Sequence, residues 1–287
     1  MKIKTFLLKS FMVMLFFALA SCSTDNDDGD VNLIAPNLPP EISMVMDFSD
    51  FDNNDGKSSI ENKFKGLPDK GNWVYSAVVV GVWNTALVTT LAVPVASFRT
   101  ALRYKAEYKG DAIWEWNYTV DGFTSQYSAR LTGELSGSEV LWKMYITKSG
   151  IGAFDEFMWF SGASNIDGKS GYWNLNHSAA FPENMLRIDW EVTGDEIGSI
   201  KYTYVRELND MRETDMFKTS SITYGLQAGD YDAFYNVYAY DANSEAFVNA
   251  DIEWSRTNYN GRVKAEYYFE DVNWHCWDTL GENVACE

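Results

Sequence analysis

The sequence predicts a mainly β protein: an antiparallel meander of about ten strands, forming a curved sheet or barrel, with one apolar segment at 73–104 packed against it. Three observations predict this. From residue 113 onward, apolar and aromatic residues alternate with polar ones, the period-2 signature of strands with one buried face. Clusters of Gly, Asn, Asp and Ser interrupt the alternation at short intervals, as turns do. No helical spacer stands between the runs, and parallel pairing would need long crossovers.

The elements follow in order. Trp114, Trp116 and Tyr118 alternate with Glu115, Asn117 and Thr119, and Asp121-Gly122 ends the run. Strands follow at 127–133, 140–146, 154–160 and 171–176, the last two joined by a turn at 165–169. Residues 186–192 and 200–205 pair around Thr193-Gly194-Asp195. After a polar excursion at 209–218 come 221–226, 231–240 and 246–256. Asn260-Gly261, the strongest short hairpin signal in the chain, leads into 263–269. Upstream, residues 73–98 carry no charged side chain. A segment so apolar on every side is buried on most of them. A membrane span is the competing reading, opposed by Asn84, Thr85, Thr89, Thr90, Gly81 and Pro94. Val78, Val82, Ala86 and Val88 leave helix and strand both open. Pro94 predicts a break, with 95–105 a short amphipathic helix carrying Phe98, Ala101 and Leu102.

The first 21 residues read as a signal peptide. Lys2, Lys4 and Lys9 precede an apolar run at 11–19, too short for a bilayer, which takes about 20 apolar residues. Leu19-Ala20-Ser21-Cys22 follows. This tetrapeptide resembles the lipobox of bacterial lipoproteins, which implies cleavage before Cys22 and lipidation (diacylglycerol, then a further acyl chain such as palmitate) at that residue. An ordinary secretory signal is the plainer alternative. Ser23 in place of aspartate resembles outer-membrane rather than inner-membrane lipoproteins, and the acidic run at 24–30 resembles the surface-export tether of Bacteroidota lipoproteins, with a plain solvated spacer the equal alternative. The expectation is an outer-membrane, lipid-anchored protein, on the cell surface or the periplasmic face. It would consist of a signal peptide at 1–21, a disordered acidic and proline-containing tether at 22–45 and a single β domain at 46–287.

The chain carries 23 basic and 41 acidic residues, a net charge of −18. Removing 1–21 takes three lysines with it and leaves −21. Such a chain repels phosphate, so nucleic acid is not an expected partner, and membrane attachment falls to the N-terminal lipid alone. Besides Cys22 there are only Cys276 and Cys286. In an oxidising compartment these two should form a disulfide. A metal reading built from His275, Cys276, Asp278 and Cys286 has no recognised ligand spacing, and His177 and His275 are the only histidines, too few for a histidine-rich zinc site.

Candidate binding residues come from an acid directly before tryptophan, which occurs at Glu115-Trp116, Asp189-Trp190 and Glu253-Trp254. In a strand such neighbours point to opposite faces. The tryptophans are then either core residues, or, with Trp114 and Trp173, an aromatic wall able to hold acyl chains or stack on sugar rings. The pairs Asp189/Glu191 and Asp251/Glu253 raise a glycosidase reading, though i, i+2 acids are common on exposed strand faces. Asp50, Asp52, Asn54 and Glu61 occupy positions 1, 3, 5 and 12 of a calcium loop. The glycine needed at position 6 is Asp55, with Gly56 one place late. There is no Gly-rich phosphate loop and no Gly-x-Ser-x-Gly elbow, so no catalytic residue is assigned, and calcium is the one cofactor weighed. The plan of a sheet around an apolar element, over about 73–270, is similar to the half-barrel of LolA/LolB-type lipoprotein carriers. The resemblance implies a non-enzymatic binding protein for a hydrophobic or lipid ligand. A surface glycan-binding or adhesive lipoprotein is the alternative, and a hydrolase stands third.

Overall fold

The computed structural model describes residues 34–51, 71–121, 125–194 and 196–286, and one packed unit runs Ala35–Glu287. Among the described residues, fourteen strands form one sheet in sequence order, every neighbouring pair antiparallel. They are β1 (Glu107–Gly110), β2 (Ile113–Asp121), β3 (Gln126–Ser136), β4 (Glu139–Lys148), β5 (Phe154–Asn165), β6 (Ser170–Asn176) and β7 (Asn184–Thr193). The second half is β8 (Glu196–Tyr204), β9 (Ser221–Leu226), β10 (Ala233–Asp241), β11 (Ala246–Trp254), β12 (Gly261–Lys264), β13 (His275–Trp277) and β14 (Asn283–Val284). The expected meander is present, with more strands than the ten anticipated. β1 shows no buried–exposed alternation and β13 and β14 are only three and two residues long, so these edge strands carry no legible period. Among the described residues β1 and β14 do not pair with each other, so the sheet is open and not the closed barrel.

One helix, α1 (Gly71–Ala101), covers the buried face. It settles the helix-or-strand alternative for 73–104 in favour of helix, and it corrects the predicted break: the helix runs through Pro94 without interruption. Proline removes one ladder hydrogen bond, but the turns beyond it are held from outside. Phe98 packs edge-on against Phe160 and Trp173 at 6.3 and 5.3 Å, and the Tyr118 hydroxyl donates to the Ser97 carbonyl at 2.6 Å. At the other end Asn72 is clamped: its amide Nδ2 donates to the Cys276 carbonyl at 2.8 Å, and its backbone N–H donates to Asn283 Oδ1 at 3.1 Å. By length and composition α1 could cross a membrane, yet it packs along one side against this core; Val82 and Val88 on its other side are 61% and 65% exposed.

Two predicted features at the end of the sheet are corrected. Residues 263–269 are not one strand: β12 stops at Lys264 and Glu266–Phe269 forms a short helix, α2. Its rings turn sideways, Tyr268 onto Tyr75 at 4.1 Å and Phe269 onto His275 at 3.8 Å, contacts that a continued strand would lose. Nor do Asn260-Gly261 make a two-residue turn; residues 255–260 form the loop and Gly261 opens β12. A Cβ there would lie 2.3 Å from the Trp277 ring. The glycine serves a close approach between strands, not a turn.

The core face shows one recurrent device. Across β2 to β6 the directly paired residues read Trp114, Gly133, Trp142, Gly162, Trp173. Two of these indoles lie over a neighbouring glycine: a Cβ on Gly133 would meet Trp142 at 2.6 Å, and one on Gly162 would meet Trp173 at 2.6 Å. Trp254, Gly261 and Trp277 repeat it across β11 to β13. Large and small side chains alternate across strands in this way where an inner face is crowded.

The N-terminal boundary also changes. Residues 35–45 were expected in the disordered tether, but Ser43 and Met44 are fully buried and Ala35, Leu38 and Ile42 pack on the core. Past a 3-10 turn at Glu41–Ser43 the chain crosses the buried face of the sheet, burying Met44, Met46 and Phe48 in alternation with exposed Val45, Asp47 and Ser49. It forms no strand, so each backbone polar group it buries needs a side-chain partner. Cys22 and residues 22–33 lie outside the described residues.

Candidate functional site

The crossing segment is pinned by side chains from successive strands. Trp173 Nε1 donates to Ser43 Oγ at 3.1 Å. The Tyr202 hydroxyl donates to the Met44 carbonyl at 2.7 Å and accepts from the Met46 N–H at 3.0 Å. The Tyr235 hydroxyl donates to the Asp47 carbonyl, and Trp254 Nε1 donates to Asp50 Oδ2 at 2.9 Å. Phe48 stacks on Tyr235 at 5.9 Å and Phe51 meets Trp254 edge-on at 4.9 Å. Burial pushes the Tyr202 and Tyr235 phenols well up, so both remain hydroxyl donors.

Between this segment and α1 lies a slot of about 410 Å³. One wall is Met44, Val45, Met46, Phe48 and Ser49 with the Tyr202 ring. The other is a single stripe of the helix made of two i, i+4 ridges, Asn84-Val88-Ala92-Ala96 and Leu87-Leu91-Val95-Arg99, which are neighbours on a helix surface. The lining is apolar except at its ends and at Ser49. Val88, 65% exposed, marks the side open to solvent. Arg99 is the one charged side chain among the described lining residues. It pairs with Glu41, whose carboxylate raises the guanidinium's pKa further and keeps it charged. The volume and the apolar character match those of small-molecule sites.

A second concavity, of about 1420 Å³, lies beside the disulfide and is polar. Loops after β9, β11 and β13 form it. Its arginine is already engaged: Arg262 pairs with Glu253 at 2.6 Å and lies under the Trp274 ring at 4.3 Å.

The residues singled out in the sequence fall as follows. Trp114, Trp116, Trp173, Trp190 and Trp254 are all core, between 0% and 4% exposed. They line the buried face, as alternation requires, but α1 and the segment 43–51 cover it, so they form no open aromatic wall. Trp114 and Trp190 leave their indole N–H without a partner. Cys276 and Cys286 form the expected disulfide, Cα–Cα 5.3 Å, beside the clamp on Asn72. Of the calcium set only Asp50 is described, and its carboxylate accepts from Trp254; Asp52, Asn54 and Glu61 lie outside the described residues. No cluster of metal-ligating side chains occurs among the described residues. Three of the four carboxylates in the two pairs are held by cations. Arg187 chelates Asp189 at 2.6–3.0 Å, Lys264 pairs with Asp251 at 3.3 Å and Arg262 with Glu253.

Missed in the sequence were Met44, Met46, Tyr202 and Arg99. A short alternation at 44–48 was the only signal available. Compared with known protein families, with characterised proteins and with solved structures, the chain matches none.

Proposed function

We propose that this is a lipid-anchored protein of the outer membrane, without catalytic activity, whose working part is the slot between α1 and residues 44–49, where it binds a hydrophobic ligand. The observation that carries the reading is the slot itself. It is an apolar cavity of ligand size, built on a helix and open on one side.

The cover over the sheet supports it: residues 43–51 reach from Trp173 of β6, through Ser43, to Trp277 of β13, through Phe51. The glycan-binding alternative loses the five tryptophans it was built on, since all are core.

The anchor rests on the lipobox at Cys22 and on a charge of −18, which gives the fold no electrostatic hold on anionic lipid. Metabolic labelling with an alkynyl fatty acid should mark the protein, and Cys22→Ala should abolish the label. For the slot, an uncharged environment-sensitive dye such as Nile red should bind saturably, and Ala92→Trp, which fills the slot from an exposed position on α1, should abolish that binding without lowering Tm. Dye binding that survives Ala92→Trp unchanged would overturn the slot as the site.

A further inference from the structure

The dimensions of the slot say more than its polarity does. Its helical stripe runs from Asn84 to Arg99, fifteen residues at 1.5 Å each, or about 22 Å. A slot of about 410 Å³ lined by one helical stripe along that length is elongated, as an extended acyl chain is. An extended chain advances about 1.2 Å per bond, so the slot matches a chain of roughly 18 bonds.

The two ends differ chemically. Asn84 stands at one end and Arg99 at the other, with only Leu87, Val88, Leu91, Ala92, Val95 and Ala96 on the helix between them. In a chain with 41 acidic residues against 23 basic, a single cation at the end of an apolar slot gives that end a sign. Its side chain is 52% exposed and bonds a carboxylate, that of Glu41, through one nitrogen. A guanidinium has five donors in a fork that fits carboxylate oxygens two at a time, so the remaining donors can take a second carboxylate, or Glu41 can yield its place.

We propose that the slot takes a long-chain fatty acid, its acyl chain extended along α1 and its carboxylate on the Arg99 guanidinium. This rests on the hydrophobic-ligand reading above and narrows it. Burial of the chain supplies affinity in proportion to its length, and Arg99 fixes which way round it lies. Glu41 is the competitor that the ligand displaces or shares.

The test uses the full-length chain in phosphatidylcholine nanodiscs, with empty discs as the partition blank, and isothermal titration with palmitate, methyl palmitate and palmitoyl lysophosphatidylcholine. One palmitate should bind per chain, at least tenfold more tightly than either neutral-headed or zwitterionic probe. Affinity should rise with each added methylene from twelve carbons and level off near eighteen. Arg99→Gln should weaken palmitate at least tenfold and leave methyl palmitate unchanged, Arg99→Lys should recover part of the loss, and Glu41→Gln should tighten palmitate severalfold. If methyl palmitate or the lysophospholipid binds as tightly as palmitate, or Arg99→Gln changes nothing, the fatty-acid assignment is overturned while the hydrophobic slot stands. If no probe binds saturably to a chain whose melting curve is cooperative, both fall.

Discussion

Gly162 has an indole on either side of it, Trp142 from β4 and Trp173 from β6, and that position shows how finely the inner face is fitted. A Cβ there would come within 2.1 Å of the Tyr172 carbonyl and 2.6 Å of the Trp173 ring. The first contact is backbone, so nothing cheap can move. Gly162→Ala should therefore lie at the upper end of the overpacking range, about 3 kcal/mol or more, measured by urea unfolding. Gly137 is a control: it is a turn glycine at φ 64° with open space around its Cα, and Ala there should cost only about 1 kcal/mol, the conformational term alone. Equal losses at the two positions would contradict the fitted-face account. Tyr202 is the polar counterpart. Its buried hydroxyl satisfies both the Met44 carbonyl and the Met46 N–H, so Tyr202→Phe orphans two buried backbone groups. It should cost about 1–3 kcal/mol, and it should also loosen the wall of the slot, so dye affinity should fall with stability.

At the scale of elements, α1 is held at its two ends. Beyond Pro94, Phe98 sits between Phe160 and Trp173, and at the start Asn72 bridges to β13 and β14. Those two strands are three and two residues long and could not persist unaided at a sheet edge. The Cys276–Cys286 disulfide spans ten positions and ties them down, a closure worth roughly 2–3 kcal/mol in the chain-entropy account. The double variant Cys276→Ala/Cys286→Ala should lose about that much. Its effect should be local in hydrogen exchange: protection should drop in β13, β14 and the first turns of α1, while β3 to β8 keep theirs. A uniform loss across the sheet would show instead that the bridge acts only through the unfolded chain. Phe98→Ala, by contrast, removes a fully buried ring from the core and should cost about 3–5 kcal/mol, destabilising the whole unit.

For the whole molecule, the meander was legible because each strand carries its own period: β4 reads Val140, Trp142, Met144, Ile146 inward with Lys143 and Tyr145 between them. The slot was not legible, because it exists only once residues 43–49 cross the sheet. The hydrogen bonds that place them join residues 130 to 188 positions apart, and no local pattern encodes such distances. Three of these four bonds are made by phenols, which gives the molecule a distinctive alkaline limit. Burial raises the pKa of Tyr118, Tyr202 and Tyr235 and pushes Tyr75, Tyr204 and Tyr224 up to about 12, against 10.0 for a free phenol. The folded chain thus holds these protons more tightly than the unfolded chain does. Their contribution to stability is whole below pH 10 and is lost as the pH climbs through 12, because there the unfolded state ionises first. Stability should be level from neutrality to about pH 10 and then fall. This buried set should gain tyrosinate absorbance only together with the loss of near-ultraviolet dichroism. Tyr118 serves only the Ser97 carbonyl and a contact with Met144 sulfur. Tyr118→Phe should therefore move the alkaline midpoint upward while lowering stability at pH 7. If Tyr118, Tyr202 and Tyr235 ionised near pH 10 with the dichroism intact, the covered inner face that holds the slot would not be sealed.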